Sequence, residues 1–446
     1  MKAFWLRHRV VLTLWAVSLA VYLALAGDRL RRASPEPHFA MQADAWLKKH
    51  LDIDPWPAND NAAVEDVKLD DGSIVRGRRL SSRKFFRTTR GQELPLARVK
   101  ETVRTRHYIS FPPLPAVLML PQVMLHGAKA NDVAFTAIVA SLVPPGMFLL
   151  LGLLRRRGRS TRTVEEDVWL ALALGFGTIF FATSVQGQVW FTAHVVATVL
   201  VLGYVAASVD AARPVLAGLC LGLAFVTRTP TLFLAPLFVW EAWRAGRDGL
   251  VKRMILFAAP IAVIGLAAAL HNHARFDSFT EFGHSYLTTR QQTQIEQHGL
   301  FSITYLGRNL ATMLTGFPTL SAKAPYISIG GHGLALWLTS PFLLAVLWPR
   351  TKGPMHRILW ATIACAAVPA LLYQNSGWVQ FSYRFALDYM VLLVVLIAVG
   401  ARPIGRSMKG WIAVAVAIQL FGAITFNRAP KFYRFDNATY QCVVPH

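Results

Sequence analysis

Apolar runs of membrane-spanning length dominate this chain and limit its architecture more than anything else in it. They fall near 9–27, 131–154, 168–186, 189–208, 213–227, 230–243, 254–271, 333–348, 358–374, 386–400 and 410–426. Crossing a bilayer as a helix takes roughly 17–25 predominantly apolar residues. Two of the runs, 213–227 and 230–243, are short and flank the stretch TRTP. Composition agrees: 54% of residues are hydrophobic and 16% charged, with a mean hydropathy of +0.39. Soluble domains carry about a quarter charged residues.

The formal charge of +22 would point to nucleic acid in a soluble protein. Here the basic residues cluster between apolar runs, which is the mark of membrane topology and lipid head groups. No nucleic-acid partner is expected. Cys220, Cys365 and Cys442 are far apart, the first two inside apolar runs, so neither a disulfide framework nor a metal-binding spacing is present. The N-terminal run is too long for a signal-peptide core and shows no clear small-residue cleavage site. It reads as an uncleaved first span.

The run FPPLPAVLMLPQVMLHG, 111–127, holds prolines at 112, 113, 115 and 121, and proline breaks the helical hydrogen-bond ladder. Leaving it out of the span count puts every short basic loop on one side. These are Lys2, Arg7 and Arg9, then Arg155, Arg156, Arg157, Arg159 and Arg162, then Arg213, then Arg244, Arg247, Lys252 and Arg253, then Arg350, Lys352 and Arg357, and lastly Arg402, Arg406 and Lys409. That distribution is what the positive-inside rule demands. The expected fold is an all-α polytopic membrane protein with about 11 transmembrane helices, N-terminus inside, and 111–127 interfacial or re-entrant.

Five segments follow: a first span, 1–27; a long outer loop, 28–130; a transmembrane module, 131–271; a second outer loop, 272–332; and C-terminal spans with an outer tail, 333–446. In the first outer loop, VEDVKLDDGSIVRGRRL alternates around Asp71-Gly72 and reads as a small β-hairpin, while 81–106 is basic and turn-rich. No internal repeat is visible.

Directly after the first span comes SPEPHFAMQADAWLKKH, 34–50. Phe39, Gln42, Ala43, Trp46 and Leu47 fall on one helical face, as in an interfacial helix lying on the outer leaflet. Glu36 precedes it between Pro35 and Pro37.

This order of a span, an acidic residue, a juxtamembrane helix and a proline-rich apolar segment resembles the C-fold (GT-C) glycosyltransferases. HYISFPPLPAVLMLP is similar to their PPL segment, and RPVLAGLCLGLAFVTRTPTLFLAPLFVW to their paired short helices around an outward Thr-Arg/Lys turn. QGQVWFTAHVVAT, HARFDSFTEFGHSYL and GWVQFSYRFALDYMVLLVVL resemble a bacterial branch near families 39, 83 and 87. The chain departs from the superfamily in carrying Pro35-Glu36 where Asp or Asp-Glu is common, and in a longer insertion at about 54–106.

The resemblance implies a multi-pass protein of the bacterial inner membrane with its active site facing the periplasm. It implies a sugar taken from a polyprenyl-phosphate donor, among membrane lipids, to a glycan, lipid or protein acceptor. No cofactor follows from it, and metal dependence stays open. Such chemistry needs a carboxylate base for the acceptor hydroxyl and cations for the leaving phosphate. Glu36 is the first candidate base, its alternative role being a helix cap. Asp28 and Asp44 are further carboxylates, the one ending the first span, the other on the helix face.

Arg228, in TRTP, is the first phosphate candidate, because a charge between two apolar helices is costly and usually functional. His194, at the outer start of a span, is either a substrate contact or a hydrogen-bonded interfacial group. Tyr383 and Arg384 head a span, and Arg384 with Asp388 forms an i,i+4 pair that is equally compatible with a structural role. Glu281 and His284, at i,i+3, are substrate contacts; with no third ligand, no metal site is assigned. Arg106 and His107, ahead of YISFPP, are secondary phosphate candidates. A lipid-linked glycan ligase or polymerase remains as an alternative function, and so does a non-enzymatic transporter. The transporter would place polar residues at mid-span in two related halves.

Overall fold

A computed structural model describes residues 2–57, 59–287 and 291–441. Cys442 and the end of the expected outer tail, 442–446, lie outside the described residues.

Helix α1, Lys2–Ala26, ends in a 3-10 turn, Gly27–Arg31, and leads into α2, His38–Leu47. Five strands follow: β1 (Asn61–Leu69), β2 (Ile74–Arg79), β3 (Phe85–Thr88), β4 (Glu93–Pro95) and β5 (Val99–Ile109), in the order β4-β3-β2-β1-β5. The expected hairpin is there, with Lys68 opposite Ile74 across the Asp71-Gly72 turn. The expectation of a turn-rich 81–106 is corrected: it supplies three of the five antiparallel strands. The cause is apolar alternation masked by surface arginines. Phe86 and Leu94 point inward with Val67 and Leu69 to form a small core of their own.

Helix α2 is also corrected. Phe39, Ala40 and Ala43 are buried, not laid on lipid, and pack on Ala116, Met119 and Val123 of α3, Leu114–His126, and on Val189 and Ala193. Burying a phenylalanine is worth about 1.5–3 kcal/mol, so protein contact outcompetes a leaflet surface for this stripe. At 1.5 Å per residue, the 13 residues of α3 span about 20 Å, short of a hydrocarbon core of about 30 Å.

The bundle continues through α4 (Asp132–Ala140), α5 (Val143–Arg156), α6 (Val164–Phe176), α7 (Phe180–Ser184), α8 (Val189–Ser208), α9 (Pro214–Phe225), α10 (Pro236–Arg244) and α11 (Leu250–Phe276). Local sequence sets these starts. Asn131 caps α4 by accepting from Ala134 N–H, and Thr163 with Glu166 forms a capping box on α6, the reciprocal arrangement that satisfies first-turn N–H groups. Gly187, at φ +77°, turns the chain into α8; a Cβ there would meet Val133 Cγ2 at 2.5 Å. The rest comprises α12 (Gln292–His298), α13 (Leu306–Thr315), α14 (Leu336–Thr339), α15 (Pro354–Leu372), α16 (Met390–Val399), α17 (Arg406–Thr425) and α18 (Asn437–Gln441).

Among the described residues, six helical stretches are long and apolar enough to cross a membrane: His8–Arg31, Asp132–Arg156, Val189–Ala211, Leu250–Phe276, Pro354–Leu372 and Arg406–Thr425. Eleven were expected. Apolar composition did not carry helical continuity at 168–186, which breaks at Gly177, nor at 333–348, which forms one helical turn and a 3-10 stretch from Pro341 to Leu347. Runs 230–243 and 386–400 likewise begin as 3-10 turns, Thr229–Leu234 and Arg384–Asp388.

Several residues of the basic loops are ion-paired within the bundle. Arg159 meets Asp210 at 2.9 Å and Glu241 at 3.3 Å, Arg155 meets Asp167 at 3.1 Å, and Lys409 meets Glu165 at 2.5 Å. The opposite end of α8 carries the sheet and the candidate site. There Arg275, the largest fully buried side chain, donates to Ile109 O at 2.6 Å and ties α11 to β5.

Candidate active site

At the sheet end of the bundle, the 3-10 turn Arg384–Asp388 holds Asp388 almost wholly buried, at 1% exposure. Arg228 donates to both its oxygens, Nε to Oδ1 at 2.9 Å and Nη2 to Oδ2 at 2.6 Å. This fork-to-carboxylate geometry is the strong form of the ion pair. The anticipated Arg384–Asp388 pair is therefore replaced: in a 3-10 turn, side chains at i and i+3 eclipse, so residues four apart do not face each other. Arg384 turns instead to Gly377 O at 2.6 Å and Val379 O at 2.9 Å, and lies over the rings of Phe191 and Phe385.

His194 is fully buried, with Nδ1 at 3.5 Å from Asp388 Oδ1. Its Nε2, the Tyr383 hydroxyl and Arg384 Nε are buried without a hydrogen-bond partner. Native interiors leave few such atoms, and each calls for an explanation. Here several gather beside two guanidiniums that act on one another electrostatically.

The segment between α1 and β1 lies beside this cluster. Glu36 Oε2 accepts from Gln188 Nε2 at 2.6 Å, and its Oε1 stands 3.5 Å from Asn59 Nδ2. Helix α2 has no side-chain cap, so Glu36 does not cap it; it stands instead at the N-terminus of α8, where Val189 N–H donates to its backbone carbonyl at 3.2 Å. His38 Nε2 bonds Asn59 O at 2.8 Å. Next to Asn59, Asp60 accepts from Trp190 Nε1 at 2.6 Å through Oδ2, leaving Oδ1 unbonded among the described residues. Its charge reaches His38, His284, Tyr373 and Arg384.

His284 completes the ceiling, its ring edge-on to Phe111 and Tyr373. Burial pushes the His284 imidazole below its ordinary value, against the opposing charges of Glu281 and Asp60. The turn that delivers it depends on Gly283, at φ +99°, where a Cβ would meet Phe276 Cζ at 2.7 Å. Glu281 accepts from Gly283 N–H at 2.5 Å and caps that turn. Among the described residues, no group of three His, Cys, Asp or Glu is arranged to hold a metal ion.

Sequence candidates thus divide. His194, Arg228, Tyr383 and Arg384 come together around Asp388, with His284 beside them against Tyr373, while Glu36 stands at the start of α8 bonded to Gln188. The others are engaged elsewhere: Asp28 with Arg428 at 2.7 Å, and Asp44 with Lys48 at 2.7 Å. Arg106 pairs with Asp66 across the sheet at 2.7 Å, and His107 stacks on Trp56 and bonds Asn61. Burial pushes the His107 imidazole down as well.

Sequence reading missed Asp60, Asn59, Gln188 and Trp190. One signal was available: Trp190 and His194 are four apart on α8 and so share a face. Asp60 carried none, since PANDN reads as an ordinary loop; its φ of +50° is a conformation that Asp tolerates better than most residues.

No protein-family model matches the chain, and no curated protein matches it. Among solved structures it is similar to the apo crystal structure of the Archaeoglobus fulgidus oligosaccharyltransferase, at 12% identity and a TM-score of 0.43, over 96% of this chain. The chain spans about half the length of that protein, 56%. A likeness of this size carries no argument about activity.

Proposed function

We propose that this protein is a membrane glycosyltransferase of the GT-C type. It transfers a sugar from a polyprenyl-phosphate donor to a lipid, glycan or protein acceptor at the outer face of the bacterial inner membrane, with inversion at the anomeric carbon. The observation that carries the reading is the fork of Arg228 held on buried Asp388, with Arg384, His194 Nε2 and the Tyr383 hydroxyl buried beside it and the charge of Asp60 reaching Arg384, where the apolar bundle gives way to its polar cap. In this reading the outer segments are 28–130 and 272–332, and α3 stays at the interface.

Arg228 and Arg384 take the donor phosphate. A carboxylate removes the proton from the acceptor hydroxyl as its oxygen bonds the anomeric carbon. The bond from that carbon to the phosphate oxygen breaks, and the electron pair leaves with the phosphate, where the guanidiniums stabilise the charge. Asp60 is the proposed base. One of its oxygens has no hydrogen bond among the described residues, and its charge reaches Arg384, whereas both oxygens of Glu36 face amide donors. Glu36 positions the loop through Gln188 and Asn59. His194 and Tyr383 offer buried polar atoms to the donor.

The test is a transfer assay with purified protein in nanodiscs, given a radiolabelled polyprenyl-phosphate sugar and an envelope glycolipid fraction. Label should move to a new product, and Arg228→Ala should stop it. Transfer of a whole glycan from a diphosphate donor, with none from the monophosphate, would replace this reading with a ligase.

A further inference from the structure

Next to Glu36, with Pro35 and Gln188 in its wall, lies a cavity of about 440 Å³. Three guanidiniums line it, Arg29, Arg32 and Arg428, against one carboxylate, Asp28. Asp28 is exposed at the rim and paired with Arg428 at 2.7 Å. Arg29 and Arg428 are anchored on the backbone carbonyls of Val185 and Leu25. Arg32 has no side-chain partner among the described residues and is exposed.

Two polar atoms at this cavity are buried and unsatisfied. Gln186, at 3% exposure, gives its oxygen to Asn427 Nδ2 at 3.3 Å and leaves Nε2 without a partner. Arg428 Nε is also buried and unpartnered. Unused donors facing a concave site under excess positive charge are what an anion requires. Helix α8 begins beside it at Val189, and the positive end of its dipole adds to the field.

We infer that this cavity is an anion subsite, separate from the Arg228–Asp388 cluster, that takes a phosphate group. Arg32 closes on the anion as a mobile guanidinium, while Gln186 Nε2 and Arg428 Nε are fixed donors. Asn427 Nδ2 also donates to Gln188 Oε1, at 3.0 Å, and Gln188 Nε2 donates to Glu36. Occupancy of the cavity is thereby joined to the carboxylate wall of the proposed active site. Resting on the transferase reading, the anion is assigned to the acceptor, held next to Glu36.

The experiment measures binding and needs no turnover. Full-length protein in neutral detergent is titrated with inorganic phosphate by calorimetry. In parallel, nanodiscs of phosphatidylcholine with and without phosphatidic acid are examined by native mass spectrometry for retained lipid. Wild type should bind inorganic phosphate, phosphatidic acid or both; the first identifies a soluble or headgroup phosphate, the second alone a lipid source. Arg32→Gln and Gln186→Leu should each weaken that binding about tenfold, the loss of one charge-assisted hydrogen bond, while Arg106→Ala, whose side chain is paired with Asp66 in the sheet, leaves it in place. Because Arg32 is exposed and unpartnered, its variant tests the site without disturbing the fold. Absence of binding, wild-type affinity in both cavity variants, or loss confined to Arg228→Lys would overturn the inference. Failure of the transfer assay alone would leave it standing.

Discussion

Arg228 and Asp388, 160 residues apart, are joined by two hydrogen bonds of 2.9 and 2.6 Å, with the carboxylate buried and the guanidinium partly open. The pair fixes the arginine fork at the site while leaving part of its surface for a ligand. Buried Asp388 is also why Arg228 cannot be removed without consequence: stripping one partner from a buried pair costs about 3–5 kcal/mol.

Arg228→Ala is therefore expected to lower the unfolding temperature as well as to abolish donor binding. Arg228→Lys keeps the charge and loses the planar fork; it should fold and bind a polyprenyl-phosphate sugar about tenfold more weakly. Differential scanning fluorimetry with donor titration separates the two effects. Unchanged donor affinity in both variants would take Arg228 out of the site.

Arg106 gives the opposite expectation. It pairs with Asp66 within the sheet, and a partly exposed pair of this kind contributes about 0–1 kcal/mol. Arg106→Ala should transfer sugar at close to the wild-type rate. A loss as large as that of Arg228→Ala would bring β5 into the active site.

Much of this was legible in the sequence, for particular reasons. Arg228, His194 and Tyr383-Arg384 are charged or polar groups at the ends of apolar runs, where their cost marks them out. Glu36 stood out through its place after the first span. The partners of these groups were not legible. Asp388 pairs with Arg228 because a 3-10 turn replaces an α-turn, and no residue in RFALD announces that choice. Asp60 lies in a loop whose conformation is set by contacts to Trp190, 130 residues away. Strands β3 to β5 were hidden by arginines on their outer face, and the interrupted runs at 168–186 and 333–348 show that hydropathy measures burial and not helical continuity.

Stability should fall on mild acidification. Burial holds the imidazoles of His38, His107 and His284 below their ordinary value, whereas in the unfolded chain they titrate near ~6.5. Between those values the unfolded chain binds more protons, so stability is complete above pH ~6.5 and is lost as pH drops through it. Thermal unfolding of detergent-solubilised protein should shift to lower temperature between about pH 7.5 and about pH 5. A His38→Gln, His107→Gln, His284→Gln variant with the wild-type pH dependence would contradict the account of these histidines.

Topology is open to direct labelling. Lys129 and Thr161 are both exposed and lie at opposite ends of Asp132–Arg156. In a background lacking Cys220, Cys365 and Cys442, Lys129→Cys should react with an impermeant maleimide from outside, and Thr161→Cys only after the membrane is opened. The reverse pattern, Thr161→Cys reacting from outside and Lys129→Cys only after opening, would mean that α3 crosses, and reaction of both from one side that Asp132–Arg156 does not.

The central claim is that an outer-loop carboxylate takes the acceptor's proton opposite the Arg228–Arg384 cations. The most direct measurement is the single-turnover rate of transfer from a polyprenyl-phosphate sugar by Asp60→Asn and Glu36→Gln, with donor affinity measured on the same preparations. Asp60→Asn should keep donor binding and lose roughly 10²–10⁴ in rate, the usual cost of a missing general base. Glu36→Gln should lose about tenfold, as its contacts to Gln188 and Asn59 loosen. Full activity in Asp60→Asn with a dead Glu36→Gln would move the base to Glu36; full activity in both would contradict the carboxylate mechanism itself.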